Sequence, residues 1–111
     1  MEITESKIEQ VKVLGLKGRL DAATSNSAQD RFSQLIDLGE TKLVVDLSEL
    51  DYLSSAGLRV FMMAAKRLKA RGGKLVLCRA PDRIKEILEI ARLSELFFLC
   101  PSLEEALTRF A

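Results

Sequence analysis

The order of hydrophobic patterns along this chain restricts its fold more than any other feature of the sequence. Short apolar runs typical of β-strands alternate with longer segments in which apolar residues recur every three or four positions, as amphipathic helices require. The predicted order is strand, strand, helix, strand, helix, strand, helix, strand, helix. Because parallel strands need long crossover connections, this order predicts an α/β fold with a mixed, mostly parallel β-sheet and crossover helices.

The predicted strands centre on Ile3 and on residues 11–16, 43–45, 74–78 and 97–99. The first two are separated by the polar residues 6–10, and we expect them to form a hairpin that adds an antiparallel edge to the sheet. The third run ends at Asp46. Residues 46–53 are therefore predicted to form a polar loop that contains Asp51.

Four helices are predicted from their start and stop signals. The first has Asp21 as its N-cap, and the second covers residues 54–71 with basic side chains in its last turns. The third begins at Pro81, because proline is tolerated in the first turn of a helix. The fourth begins with a capping box, in which Ser102 precedes Glu105 by three residues.

The length and the hydropathy of the chain restrict its organisation. With 111 residues and no internal repeat or linker, it is expected to form a single domain over residues 1–111. The longest apolar runs, residues 60–65 and 96–100, are far shorter than the roughly 18 residues that span a bilayer, so no membrane insertion is expected. The first residues lack the features of a secretory signal, and we expect a cytoplasmic protein.

The absence of histidine excludes several classes of active site. A Ser-His-Asp triad, a Cys-His dyad and a histidine-ligated zinc ion are impossible within this chain. The two cysteines, Cys78 and Cys100, have no metal-like spacing and are expected to be buried. No phosphate-binding glycine motif is present, and a metal site at Asp46 and Asp51 remains only an alternative. Any catalysis would need Asp, Glu, Lys or Ser, and we predict no cofactor and no metal.

Basic residues are concentrated in the second half of the chain. Residues 59–92 hold ten Lys and Arg, with Arg92 the last of them, against three Asp and Glu, so this segment carries +7 and the remainder carries −6. Single-stranded nucleic-acid sites usually add stacking aromatic side chains, and Phe61 is the only one here. The pattern favours a protein partner or a solvated face over nucleic acid.

Two neighbouring hydroxyls mark the start of the second helix. Ser54 and Ser55 stand where a helix presents free N–H groups and a positive dipole end, which favour negative charge. The simplest interpretation is that one of them caps the helix.

A family resemblance adds to this interpretation. Residues 46–59 read Asp-Leu-Ser-Glu-Leu-Asp-Tyr-Leu-Ser-Ser-Ala-Gly-Leu-Arg, which resembles the signature of the STAS-domain anti-sigma factor antagonists, the bacterial partner-switching regulators. Residues 18–21, 72–77 and 104–107 also match that family. The resemblance covers nearly the whole chain and implies a single STAS domain.

The resemblance also implies a regulatory function, and it predicts that the chain has no enzymatic activity of its own. In the family, the unphosphorylated protein binds an anti-sigma factor that is also a serine kinase, and this binding frees the sigma factor. The kinase then phosphorylates the antagonist, and a serine phosphatase reverses the reaction. The family's acceptor serine aligns with Ser55. Ser54 stands where the best-studied members have Asp, and Ala56 stands where they have Ser or Thr.

The second helix is also expected to supply the docking surface. Ala56, Val60, Met63 and Arg67 recur beside its core stripe, so Val60 and Met63 are predicted to be partly exposed, although burial under a neighbouring helix is an equal alternative. The predicted partner-binding residues are Asp21, Tyr52, Ser54, Ser55, Ala56, Gly57, Arg59, Val60 and Met63. An alternative function is a non-switching STAS subunit of a transporter or a signalling assembly.

Overall fold

The computed structural model describes residues 1–91 and 96–110 and contains five strands and four helices in those ranges. The strands are β1 (Glu2–Ile8), β2 (Val11–Leu20), β3 (Lys42–Leu53), β4 (Lys74–Cys78) and β5 (Phe98–Cys100). The helices are α1 (Ser25–Asp37), α2 (Ser55–Ala70), α3 (Asp82–Ile90) and α4 (Leu103–Thr108). Their order along the chain is the predicted one.

The strands form one sheet in the order β1-β2-β3-β4-β5. The pair β1 and β2 is antiparallel and the other neighbours are parallel, which confirms the mixed, mostly parallel sheet. The hairpin turn is tighter than predicted. Ser6 and Ile8 belong to β1, and only Glu9 and Gln10 form the turn, both with positive φ as two-residue hairpins require.

Helices cover both faces of the sheet. Crossovers between parallel strands are right-handed as a rule, which places the helices that connect sequential strands on one face of the sheet. In this chain α1, α2 and α3 share one hydrophobic core with Leu43 and Val45 of β3. Val44 points to the other face, where it packs with Cys78 and with Ala106 of α4. None of the helices in the described part of the chain is long and apolar enough to cross a membrane.

The two cysteines are buried, as predicted. Cys78 and Cys100 lie opposite each other on β4 and β5 within the second cluster. Burial raises the pKa of the Cys78 thiol to about 12, so this side chain behaves as a small apolar group.

The prediction of a loop over residues 46–53 is wrong, because β3 continues to Leu53. The register between β2 and β3 shifts at two places, between Gly15 and Lys17 and between Gly18 and Arg19. At each place β3 contains one extra residue. Each bulge reverses the alternation of faces. The buried leucines of this half of β3 therefore recur every three residues, a spacing that hides the strand: Leu47, Leu50 and Leu53.

The predicted role of Asp21 as a helix N-cap is also wrong. The N-cap of α1 is Thr24, and Asp21 directly follows the end of β2. Its carboxylate accepts hydrogen bonds from the backbone N–H groups of Ala23 (3.0 Å) and Thr24 (3.2 Å). Asp21 thus fixes the turn between β2 and α1 rather than the first turn of the helix.

Candidate functional site at the start of α2

Ser54 is the N-cap of α2. Its Oγ accepts a hydrogen bond from the backbone N–H of Gly57 at 3.2 Å. Its own N–H donates to the carbonyl oxygen of Leu20 at 2.9 Å, and its carbonyl accepts from the N–H of Leu58. The side chain and the backbone of Ser54 are therefore occupied in holding the junction between β3 and α2.

Ser55 is the first residue of α2, and its side chain is exposed. No group within the described ranges hydrogen-bonds to its hydroxyl, whereas the neighbouring Ser54 hydroxyl is engaged in the cap. The junction thus divides two adjacent serines between two roles. One hydroxyl caps the helix, and the other is open to solvent.

Gly57 lets α2 approach the sheet closely. A Cβ at this position would lie 2.7 Å from Cγ of Leu20 and 2.8 Å from both the Leu20 carbonyl oxygen and Cδ1 of Leu53. Only glycine fits there without a shift of the backbone. Gly57 was predicted to contact a partner, but it is buried, and its role is to place Ser55 at the ends of β2 and β3.

Side chains from β2 and β3 form the rim beside Ser55. The Arg19 guanidinium lies over the Tyr52 ring, 4.2 Å from its centroid, and its Nε is 3.4 Å from Oδ2 of Asp21. The bond between the Ser54 N–H and the Leu20 carbonyl joins the start of α2 to the end of β2, which Asp21 directly follows. Arg19 was not among the predicted site residues, because only the register that pairs Arg19 with Tyr52 reveals the contact.

The Asp21 carboxylate is held in its charged form. Desolvation raises its pKa, but hydrogen bonds from Ala23 and Thr24 and from the Arg19 side chain outweigh this effect and keep the pKa of Asp21 below its usual value. Asp21 therefore contributes a fixed negative charge at the end of β2.

The exposed surface of α2 is narrower than predicted. Val60 is only 1% exposed and packs in the main core, so for this residue the alternative of burial is correct and the prediction of partial exposure is wrong. It faces the sheet rather than solvent because it lies three residues after the buried Gly57, on the same side of the helix. Ala56 and Met63 are half-buried, and Arg59 is exposed.

Six of the predicted partner-binding residues are neither buried nor occupied in the helix cap, and we call them the docking patch after the role predicted for them. They are Asp21, Tyr52, Ser55, Ala56, Arg59 and Met63.

Asp46 and Asp51, considered above only as an alternative metal site, are not arranged as one. Asp46 lies within β3, and both of its carboxylate oxygens bind the Arg79 guanidinium. Desolvation raises the pKa of Asp46, but the bonds from Arg79 and from the Ser48 N–H outweigh this and lower it. Among the residues that the structure describes, no three His, Cys, Asp or Glu side chains cluster in a way that suits a metal ion.

Ion pairs neutralise part of the positive charge of residues 59–92. Arg67 pairs with Asp37 at 2.6 Å, and Arg79 pairs with Asp46. Lys66 and Lys69 on α2 remain exposed, while Arg92 lies outside the described residues.

The fold and this serine-capped helix define a class of protein. Residues 2–106 match the STAS domain family. The sequence is 36% identical over 110 residues to BtrV of Bordetella bronchiseptica, which is named as an anti-sigma factor antagonist, and the match covers 99% of this chain and 95% of that one. The chain belongs to the STAS-domain family of anti-sigma factor antagonists.

Solved structures share the fold at lower sequence identity. An anti-sigma factor antagonist from Thermotoga maritima superposes with a TM-score of 0.91 at 18% identity, covering 96% of this chain and 92% of that one. The anti-sigma factor antagonist SpoIIAA in its unphosphorylated form gives 0.83 at 19% identity, covering 98% and 96%. The phosphorylated form of the Bacillus protein SpoIIAA gives 0.77 at 19% identity, covering 99% and 100%.

Proposed function

We propose that this chain is an anti-sigma factor antagonist that acts as a partner switch gated by Ser55. Its unphosphorylated form binds an anti-sigma factor with serine kinase activity and thereby frees a sigma factor. The kinase transfers the γ-phosphoryl group of ATP to Oγ of Ser55, the hydroxyl proton is released, and ADP leaves. The phosphorylated form no longer binds the kinase, and a serine phosphatase restores the original state.

The observation that carries this proposal is the division of roles between Ser54 and Ser55. A phosphoryl acceptor must present an unhindered hydroxyl, and Ser55 is exposed while Ser54 is bonded to Gly57. Modification of Ser54 would also remove an N-cap, at a cost of about 1 kcal/mol. The local geometry therefore favours Ser55 as the modified residue.

A phosphate at this place changes binding more than it changes folding. It brings roughly −1.5 to −2 charges, which the positive end of the α2 dipole and the free N–H groups of its first turn accommodate. A kinase that covers the docking patch must desolvate this charge or repel it at the interface. A loss of about 1.4 kcal/mol of binding free energy already lowers affinity tenfold.

The test is capture of the partner from lysate of the native host with the full chain as bait, with and without ATP, followed by phosphosite mapping. The wild-type chain is expected to retain a serine kinase without ATP and to release it with ATP, with phosphate on Ser55. The Ser55→Ala variant should retain the kinase in both conditions.

A matched Ser102→Ala variant, which removes a serine far from the docking patch, should behave as wild type. Phosphate on another serine would contradict the proposed site. Recovery of transporter or sibling signalling subunits, with Ser55 unmodified, would instead indicate a non-switching STAS subunit.

A further inference from the structure

Arg59 occupies an unusual position on α2. It is the only charged residue between Ser55 and Ala65, and its side chain is exposed. It lies four residues after Ser55 on the same helix, so the two side chains are neighbours on one face, with about 5–6 Å between their Cβ atoms. Arg59 is thus the cation that α2 itself places beside the open hydroxyl.

Arg59 also differs from the other arginines in its contacts. Arg109 lies over the ring of Phe98. Each remaining arginine in the described ranges, apart from Arg59, donates a hydrogen bond to an oxygen atom. These arginines are Arg19, Arg31, Arg67, Arg71, Arg79 and Arg83. Within those ranges Arg59 has no ion pair, no hydrogen bond and no aromatic contact. Its guanidinium is available to an acceptor that the unmodified chain does not supply.

The electrostatics at the start of α2 indicate which acceptor would suit this guanidinium. The first turn of α2 contains no acidic residue, and a cation near the positive end of a helix dipole is unfavourably placed. The nearby Asp21 carboxylate already has Arg19, Ala23 and Thr24 as partners. A phosphate on Ser55 would reverse the unfavourable contact, because a guanidinium binds phosphate oxygens through two parallel N–H donors.

We propose that Arg59 is the receptor for the phosphate on Ser55 within the same chain. This inference rests on the proposed function, and it adds a second element to the switch. In the unphosphorylated chain the guanidinium points to solvent and is available to the kinase. Phosphorylation turns it onto the phosphate, so the docking patch gains a dianion and loses its free cation in the same event.

The test measures the phosphate directly and needs no kinase. Phosphoserine is inserted at position 55 of the full chain during translation, and its second ionisation, ordinarily near pH 6, is followed by ³¹P NMR in low salt. An adjacent guanidinium favours the dianion. The Arg59→Gln variant should therefore titrate about 0.3 pH unit higher than wild type.

Two further variants make the result specific. Arg59→Lys keeps the charge and should restore most of the lower value. Lys66→Gln removes an equal charge from the same face of α2, roughly 16 Å along the helix from Ser55, and should titrate as wild type. The difference between wild type and Arg59→Gln should shrink in 1 M salt.

Equal titration of wild type and Arg59→Gln would overturn the proposal, as would an equal shift in Lys66→Gln. Circular dichroism establishes that each variant is folded, and Arg59→Ala, which also removes the charge, takes the place of the glutamine variant if that variant is not folded. Because the phosphoserine is inserted without a kinase, this outcome is independent of whether a kinase modifies Ser55. Phosphorylation of Ser55 in the capture experiment with no titration difference would uphold the switch and remove Arg59 from it.

Discussion

The helices α2 and α4 share the same capping motif and differ in the residues of their first turns. Each has a serine N-cap whose Oγ accepts the N–H three residues later, Ser54 at 3.2 Å and Ser102 at 3.1 Å. The first turn of α4 then carries Glu104 and Glu105, while the first turn of α2 carries no acid and an exposed Ser55. Permanent negative charge stabilises the start of α4, and α2 leaves that position open to a charge that can be added and removed.

The contacts below the two helix starts differ as well. The third residue after Ser54 is the buried Gly57, and the third residue after Ser102 is the exposed Glu105. The start of α2 is thus pressed against the ends of β2 and β3, whereas α4 tolerates a large side chain at the equivalent position. The same capping motif therefore has only a structural role in α4, whereas in α2 it also positions a surface serine.

The largest effect is expected from filling the space below α2. Gly57→Ala should lower the free energy of unfolding by about 1–3 kcal/mol, because the new methyl group overlaps Leu20 and Leu53. Glu105→Ala at the matching position of α4 should cost less than about 0.5 kcal/mol. Urea unfolding measures both, and equal losses would show that close packing does not distinguish the two helices.

The next effect concerns binding. Ser55→Asp places a negative charge in the first turn of α2, and it should weaken kinase binding at least about tenfold while the melting temperature stays near that of wild type. Isothermal titration and thermal unfolding measure the two quantities. An unfolded Ser55→Asp chain would mean that the Ser55 hydroxyl is structural, as the Ser54 hydroxyl is.

A smaller effect on stability distinguishes the capping serine, Ser54, from the proposed phosphate acceptor, Ser55. Ser54→Ala and Ser102→Ala should each lower the free energy of unfolding by about 1 kcal/mol, since each removes a capping hydroxyl. Ser55→Ala should change it by less than about 0.5 kcal/mol. If chemical denaturation finds Ser55→Ala as costly as Ser54→Ala, the division of roles between the two serines is wrong.

A severalfold loss of kinase affinity is expected when the charge of Arg59 in the docking patch is reversed. Arg59→Glu should lower the affinity of the unphosphorylated chain for the kinase because it reverses the only charge on the first half of α2. Lys66→Glu serves as the control from the same helix. Unchanged affinity in Arg59→Glu would remove this residue from the interface.

The smallest effect is a pH dependence at the edge of the site. The pKa of Asp21 is lower in the folded chain than its ordinary value of 3.8, so its contribution to stability is present above that value and is lost as the pH falls through the folded pKa. Asp21→Asn lacks this contribution. Unfolding curves of wild type and Asp21→Asn should differ more at pH 5 than at pH 2, and a constant difference would argue against a charged Asp21.

Much of the fold is predictable because its signals are local. The order of elements follows from hydrophobic spacing, and the capping box of Ser102 and Glu105 is visible in the sequence, with Ser102 observed as the cap. The start of α2 is predicted correctly for the same reason. The extent of β3 is not predicted correctly, because two bulges against β2 change the spacing of its buried leucines from two residues to three.

The site shows the same division between local and distant contacts. The amino-acid sequence alone was sufficient for the class of fold, for the pair of serines at a helix start and for the position of Arg59 four residues after Ser55, since each depends on residues close together in the chain. Long-range packing was needed to establish that Ser55 is open, that Val60 is buried and that Arg19 lies over Tyr52. These outcomes depend on strand register and on the distance between α2 and the sheet, which are set by contacts between segments far apart in sequence.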